Sequence, residues 1–231
     1  METVTQAEIL SIKEFSENLR EYVIKPEIYR RFEAGSFLQF SLGLVNASDY
    51  WPESRPFSIA SAYNKEKTMR LIIRKVGSFT TKIFNELNVG DKITIKYFFG
   101  DMNLPEDDEN EVICIAAGSG IAPFIGFYEE LKQENKLNKF RLLYTVRKEE
   151  DFISYTEFCS NLSEKQYKFF VTDKKSDKGL NRLMNINDIL ELSHNNKDAH
   201  YYICGSPEFI IYFKSELEKK GIKNIYLDEW E

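Results

Sequence analysis

Histidine and cysteine are scarce in this chain of 231 residues, which holds two histidines and three cysteines. His194 and His200 lie in a polar stretch, and no usual spacing of histidine and cysteine builds a metal cluster. A four-thiolate iron–sulfur centre needs one cysteine more than the three present. Cys114, Cys159 and Cys204 show no CxxC spacing, and two of them lie in apolar strand-like runs, which argues against a disulfide framework.

Long hydrophobic runs are also absent. No segment approaches the roughly 20 apolar residues that a membrane-spanning helix needs. The first residues, METVTQAEIL, lack the basic end and apolar stretch of a signal peptide. The net charge of -6 argues against nucleic acid, because phosphate binding needs a concentrated basic face. We therefore expect a cytoplasmic protein with no membrane span and no nucleic-acid partner.

Short runs of alternating apolar residues fill the first hundred positions and are separated by Gly, Pro, Asn and Asp. They read TVTQAEILSI, REYVIKPEI, GSFLQFSLGLV, RPFSIASA, MRLIIRKV and DKITIKYFF. This pattern predicts a small antiparallel β-barrel or sandwich. Residues 79–87 have a one-sided helical period and predict a helix that caps one end of the barrel.

A different pattern follows the acidic stretch 104–111, which predicts an exposed linker. Continuous apolar strands now alternate with helices, which is typical of an α/β doubly wound parallel sheet covered on both faces. We therefore predict two domains, a barrel over 1–104 and an α/β domain over 111–231. Sheets of this kind bind ligands at the carboxyl ends of their strands, here after EVICIAAG and after YYICGS.

Two glycine-containing segments stand where these strands end. Gly118, Gly120 and Pro123 form GxGxxP between a buried strand and a helix, where backbone amides and the helix dipole favour a pyrophosphate. The alternative is a plain strand-to-helix turn with a proline in a favourable first-turn position. Cys204 and Gly205 end the strand YYIC, where a cysteine is more often a packing residue than a reactive one.

The barrel half contains two further candidates. Arg55, Pro56, Phe57 and Ser58 combine a phosphate-binding guanidinium, an aromatic that can lie on a planar ring, and a hydroxyl that can bond a ring nitrogen. These are the needs of a flavin nucleotide, although an ordinary barrel strand explains the same residues. The segment that contains Gly77, Thr80 and Thr81 opens the predicted helix, where either phosphate binding or a routine N-cap would suit.

Together these segments resemble the ferredoxin-NADP reductase superfamily over essentially the whole chain. The family has RxYS in the barrel, G-x-x-[ST] on the capping helix, GxGxxP after the first strand of the second domain, and CGxxx-apolar near the end. The form RPFSIAS is especially similar to small bacterial NAD(P)H:flavin reductases, which carry Phe in place of Tyr. The resemblance implies FAD on the barrel and a nicotinamide dinucleotide, NAD(P)H, on the α/β domain.

The resemblance also implies residue roles. On the flavin side, Arg55 would bind the pyrophosphate next to Pro56, Phe57 would stack on the ring, and Ser58 would bond near N5. The remaining implied cofactor-binding residues are Gly77, Thr80 and Thr81 for the flavin pyrophosphate, Gly118, Gly120 and Pro123 for the dinucleotide, and Cys204 with Gly205 beside the nicotinamide.

The ending Asp228-Glu229-Trp230 resembles the acidic-x-aromatic ending of many relatives. It implies that Trp230 covers the flavin and that Asp228 assists proton relay; the alternative makes Trp230 a half-exposed aromatic of a final strand. After the third strand, Asp173 replaces the arginine with which NADPH enzymes hold the 2′-phosphate, but Lys174 and Lys175 follow it. The choice between NADH and NADPH therefore stays open with a lean to NADH, and Arg147 is a further candidate for ribose or phosphate contact.

The implied activity is hydride transfer from NAD(P)H to bound flavin and electron transfer to a separate acceptor such as ferredoxin or flavodoxin. One alternative is reduction of free flavin. Another is a flavin-binding, non-catalytic subunit of a redox complex, which would have little reason to keep Arg55, Ser58 and Cys204 together.

Overall fold

The computed structural model describes residues 2–45, 50–105 and 110–228. Its first half is a sheet of six antiparallel strands in the order β4-β3-β6-β1-β2-β5. A bridge between Ile59 and Leu71 brings its two ends together, so the sheet closes as the predicted barrel. The strands are β1 (Thr3–Ser16), β2 (Leu19–Pro26), β3 (Phe37–Ser41), β4 (Arg55–Ser58), β5 (Met69–Arg74) and β6 (Lys92–Phe99).

Alternating burial shows why these segments form barrel strands. In β1 the side chains of Thr3, Thr5, Ala7 and Ile9 point inward while their neighbours are more exposed, as the period of two requires. The predicted helix is α1 (Ser78–Glu86), between β5 and β6. Its apolar face buries Phe79, Ile83 and Phe84 against the barrel core.

The second half is a five-stranded parallel sheet in the order β11-β10-β7-β8-β9. The strands are β7 (Val112–Ala117), β8 (Phe140–Val146), β9 (Tyr167–Val171), β10 (His200–Cys204) and β11 (Ile225–Leu227). The helices are α2 (Ala122–Gln133), α3 (Tyr155–Asn161), α4 (Ile186–Leu192) and α5 (Pro207–Lys219). Apolar clusters on both faces confirm the doubly wound arrangement. The strand order reverses between β7 and β10, which is where such sheets bind their ligands.

An extensive seam joins the two halves. Arg70 of β5 pairs with Glu129 of α2 at 2.7 Å and with Glu21 of β2 at 2.6 Å. Glu129 also accepts a hydrogen bond from the amide of Ala62. The backbone carbonyl of Ile59 would lie 3.3 Å from a Cβ at Gly126, so α2 approaches the barrel closely. The ends of β5, β7, β8 and β10 border one common cleft between the two halves.

The predicted bounds 1–104 and 111–231 stay a prediction, and residues 106–109 of the predicted linker lie outside the described ranges. Among the helices that the structure describes, none is long and apolar enough to cross a membrane. Within the same ranges, no three His, Cys, Asp or Glu side chains are grouped closely enough to hold a metal ion.

Candidate active site

A cleft of about 760 Å³ lies between the barrel and the parallel sheet. Three of the four motif segments contribute to its walls, so residues far apart in the chain meet there. The barrel supplies Pro56, Phe57, Ser58 and Arg74, and the sheet supplies Gly118, Ser119, Gly120, Thr145, Arg147, Thr172, Cys204 and Gly205.

The GxGxxP segment forms a tight turn between β7 and α2. Gly118 has a φ of +56°, in the left-handed region that favours glycine. A Cβ at Gly120 would overlap the backbone carbonyl of Cys204, so only glycine lets this turn reach the end of β10. Pro123 is buried in the first turn of α2. The ends of β7 and β10, where the sequence predicted ligand binding, are thus in direct contact.

Asp228 forms hydrogen bonds with residues from both halves of the cleft. Its Oδ2 accepts hydrogen bonds from the Ser58 hydroxyl at 3.0 Å and the Cys204 thiol at 3.3 Å. All three residues are buried. Burial raises the pKa of Asp228 to about 6, although both hydrogen bonds favour its charged form. Burial and the nearby carboxylate raise the pKa of the Cys204 thiol well above its ordinary value, so Cys204 remains a protonated donor.

This raised pKa predicts a pH-dependent stability effect for Asp228→Asn. The folded pKa of about 6 lies above the ordinary 3.8, so the carboxyl loses its contribution to stability as the pH rises from about 4 through about 6. The shift corresponds to at most about 3 kcal/mol. Because an amide carries no charge and its oxygen can accept both hydrogen bonds, the variant should unfold at higher denaturant concentration at neutral pH.

The measurement is chemical unfolding of the wild type and Asp228→Asn at about pH 4 and pH 7. The variant's gain should be largest at pH 7 and nearly absent at pH 4. Asp198→Asn, which neutralises an exposed carboxylate, is the control for the loss of one negative charge. An equal change for Asp228→Asn at both pH values would contradict the assignment of the raised pKa.

The Arg55 segment lies beside the N-terminus of α1. The guanidinium of Arg55 is 5.0 Å from the ring centre of Phe79, and it pairs with exposed Glu53 at 3.2 Å. Phe57 is half-buried, makes an edge contact with Phe40 and lines the cleft. The arginine and the start of the helix, two separate motifs in the sequence, are therefore neighbours.

The start of α1 is held by Thr80 itself. The buried Thr80 hydroxyl accepts hydrogen bonds from the amides of Val76 at 2.9 Å and Gly77 at 3.1 Å. Apart from Gly77 and its two chain neighbours, no heavy atom of the described residues lies within 4 Å of the position that a Cβ would take at Gly77, so the surface there is open. Thr81 is exposed in the first turn of the helix. Thr80 thus shapes this loop through its hydroxyl.

Arg147, which lines the cleft, forms an ion pair with Asp173. Arg147 follows β8 and Asp173 follows β9, and the Nε of Arg147 lies 3.0 Å from the Oδ2 of Asp173. Arg147 is 79% exposed, so the pair faces solvent and is open to a ligand. The sequence showed both residues as separate candidates and did not reveal that they are partners.

Sequence reasoning missed Arg74, which ends β5 and lines the cleft. Its Nη2 lies 3.3 Å from the Oδ2 of Asp151. A cation three residues before Gly77 is the one signal that could have identified it. Predicted site residue Trp230 lies outside the described residues, so its position stays a prediction.

The chain is similar in sequence to known oxidoreductases. Residues 114–214 match the family model described as the oxidoreductase NAD-binding domain. The chain is 27% identical to a flavodoxin/ferredoxin–NADP reductase of Buchnera aphidicola, over 91% of this chain and 88% of that protein. It is 25% identical to terephthalate 1,2-dioxygenase reductase component 1 of a Comamonas species, over 86% of this chain and 59% of that protein.

Solved structures share the two-domain fold. The FAD/NAD-binding domain of nitric oxide dioxygenase from Vibrio cholerae superposes with a TM-score of 0.83 at 18% identity, covering 98% of both chains. A ferredoxin NADP+ reductase from Neisseria gonorrhoeae with bound FAD and NADP gives a TM-score of 0.76 at 24% identity, covering 97% of this chain and 98% of that one.

Proposed function

Because the chain belongs to the ferredoxin-NADP reductase superfamily, we propose that it carries electrons from NAD(P)H through bound FAD to a separate ferredoxin or flavodoxin. The chain is an NAD(P)H-dependent flavoprotein reductase with FAD as its cofactor. The observation that carries the proposal is the shared hydrogen bonding of Asp228. It joins Ser58 of the barrel to Cys204 of the α/β domain, and in this proposal the two cofactors would meet beside it.

The flavin side has the groups that FAD requires. Arg55 and the first turn of α1 provide a cation and backbone amides for a pyrophosphate, and the open surface at Gly77 leaves room for it. Phe57 offers an aromatic face at the cleft, and Pro56 stiffens the strand beside it. When bound, FAD supplies the ring that accepts hydride from the nicotinamide and passes the electrons on.

The dinucleotide side is built by the contact between two strand ends. Gly118, Gly120 and the start of α2 bring backbone amides to the cleft, which suits the dinucleotide pyrophosphate. Cys204 and Gly205 would border the nicotinamide, since they close the cleft next to Ser58. Pro123 fixes the first turn of α2 and thereby the direction of these amides.

The buried carboxyl has a pKa suited to proton handling near the reacting atoms. With a pKa of about 6, Asp228 can hold or release a proton close to neutral pH. The Ser58 hydroxyl and the Cys204 thiol fix its orientation, and burial of all three residues excludes water. We propose that this cluster positions the two rings and serves the proton transfers that accompany reduction.

The choice of acceptor is supported by the relatives. The Buchnera protein is named for flavodoxin and ferredoxin, and the Comamonas protein is the reductase component of a dioxygenase. A second candidate function is reduction of free flavin, favoured by Phe57 in place of the tyrosine of RxYS. A cytoplasmic location stays a prediction.

The test is steady-state oxidation of NADH and NADPH with four acceptors: a ferredoxin, a flavodoxin, free FMN and free FAD. The proposal expects efficient, saturable transfer to one protein acceptor. Preferential reduction of free flavin would favour the second candidate. A chain that binds flavin and leaves every acceptor oxidised would instead be a non-catalytic subunit of a redox complex.

Asp173 is expected to restrict the use of NADPH. Its carboxylate would repel a 2′-phosphate, and the ion pair holds that negative charge beside the Arg147 guanidinium that could bind the phosphate. Asp173→Ser should therefore lower the Michaelis constant for NADPH by roughly 5- to 30-fold, which corresponds to about 1 to 2 kcal/mol. The Michaelis constant for NADH should change by less than about threefold.

The double variant Asp173→Ser with Arg147→Ala separates the two causes. If the released guanidinium binds the phosphate, the double variant should lose most of the gain in NADPH use. If Asp173→Ser leaves both constants unchanged, the ion pair lies away from the 2′ position and the lean to NADH loses its basis.

A further inference from the structure

Asp151 links the two domains at the edge of the cleft. It lies in the short turn that follows β8 and is 5% exposed. Its two carboxylate oxygens accept from different barrel strands. Oδ1 accepts from the Ser16 hydroxyl at the end of β1 at 2.6 Å, and Oδ2 accepts from Arg74 at the end of β5 at 3.3 Å. A carboxylate of the α/β domain thus fixes a cation of the barrel.

Arg74 lies directly against the turn that begins the dinucleotide side. A Cβ at Gly118 would be 3.5 Å from the Nη2 of Arg74 and 3.9 Å from its Nε. The carbonyl of Gly118 accepts a hydrogen bond from the hydroxyl of Tyr144 at 3.0 Å. The same hydroxyl lies 3.3 Å from the backbone carbonyl of Asp151. Asp151 therefore contacts Tyr144, which hydrogen-bonds to Gly118, and Arg74, the cation beside the Gly118 turn.

A guanidinium has five N–H donors, so one contact with a carboxylate leaves it able to bind a second anion. Arg74 lines the cleft and its side chain keeps 28% of its surface exposed. An arginine held at a fixed angle loses less entropy when it binds a phosphate than one that moves freely. Its position beside Gly118 makes a diphosphate the matching ligand.

We propose that Asp151 is a positioning residue that holds Arg74 beside the Gly118 turn, so that both domains together bind the diphosphate of the dinucleotide. The inference rests on the proposed function, since it assigns a partner to the dinucleotide side of that site. The Ser16 hydroxyl also restrains the Asp151 carboxylate, because it donates a hydrogen bond to Oδ1. The unit therefore couples dinucleotide binding to the relative position of the two domains.

The competing explanation is that the Arg74–Asp151 ion pair only stabilises the contact between the domains. A second ion pair between the domains serves as the comparison. Arg70 and Glu129 also join the barrel to the α/β domain, at 2.7 Å, and neither residue lines the cleft. Glu129→Gln weakens that pair and is expected to lower the melting temperature without changing affinity for the dinucleotide. It is the matched control for Asp151→Asn.

The experiment titrates flavin-loaded protein with NAD+ and NADP+, follows the change in the flavin spectrum, and uses four variants with the wild type. Arg74→Met should weaken binding by roughly 10- to 100-fold. Asp151→Asn should weaken dinucleotide binding by several-fold. In the Asp151→Asn background, adding Arg74→Met should weaken binding by less than about threefold more. The loss should appear in the dissociation constants for NAD+ and NADP+, while flavin content should stay close to that of the wild type.

Two results would overturn the inference. One is unchanged affinity in Arg74→Met, which would make the pair structural like that of Glu129. The other is an undiminished cost of Arg74→Met in the Asp151→Asn background, which would show that Asp151 does not position the arginine. Failure of the wild type to bind either dinucleotide would instead contradict the proposed function itself.

Discussion

Arg55→Ala is expected to yield a folded protein that has lost most of its flavin. Arg55, the first residue of β4, lies beside the start of α1, where its guanidinium and the helix amides can hold the same pyrophosphate. A charge-assisted contact of this kind contributes about 1.5 to 3 kcal/mol, so the dissociation constant for FAD should rise roughly 10- to 150-fold. The measurement is flavin content after gel filtration, together with titration of the flavin-free protein with FAD.

Glu53→Gln is the matched control for this prediction. It removes the carboxylate that pairs with Arg55 at 3.2 Å and leaves the arginine in place. Flavin affinity should be unchanged or stronger in this variant, because the guanidinium no longer has a competing partner. Full flavin content in Arg55→Ala would mean that the pyrophosphate lies elsewhere.

Hydride transfer is expected to slow by about 10- to 100-fold in Ser58→Ala and in Cys204→Ala, with little change in flavin content. Each variant removes one of the two hydrogen bonds to Asp228 and loosens the contact between the two halves of the cleft. Because small displacements of reacting atoms have large effects on rate, the loss should appear in the rate at saturating NADH or NADPH. Anaerobic stopped-flow absorbance of the flavin measures it.

Cys114→Ala distinguishes a role at the reacting atoms from a role in the core. Cys114 lies fully buried in β7, the strand beside β10, and does not line the cleft. Its replacement should lower stability and leave hydride transfer unchanged. If Cys204→Ala behaves in the same way, Cys204 is a packing residue, as its sequence context also allowed.

The hydrophobic periodicity of the sequence was sufficient to predict the two-domain fold. Alternation in β1 predicted a barrel strand because every second side chain has to fill a closed interior. Continuous apolar strands such as β7 predicted a sheet covered on both faces. The one-sided pattern of α1 predicted both the helix and its place on the barrel, and the structure differs from it by a single residue at each end.

Contacts between the domains could not be predicted in this way. Ser58 and Asp228 are separated by 170 positions, and their hydrogen bond depends on how the barrel and the sheet meet. Arg74 looked like an ordinary strand residue because its role depends on Gly118, which lies on the other domain. Periodicity describes one element at a time and carries no information about such pairs.

Three of the four motif segments line the cleft, and the two on the α/β domain lie where β7 and β10 end. Gly120 was identified as a residue for close approach, and the structure adds that the approaching group is the carbonyl of Cys204. Asp228 was assigned through resemblance alone, and its burial and raised pKa became visible only in three dimensions. The sequence pattern thus located the site, while packing supplied its electrostatics.

Anaerobic titration of the purified protein with NADH and NADPH tests the central claim most directly. The account predicts a yellow protein with one FAD per chain whose visible absorbance is lost on addition of one equivalent of reduced dinucleotide. Addition of oxidised ferredoxin or flavodoxin should then restore the colour. A chain that binds no FAD, or whose bound FAD stays oxidised with both dinucleotides, would contradict the account.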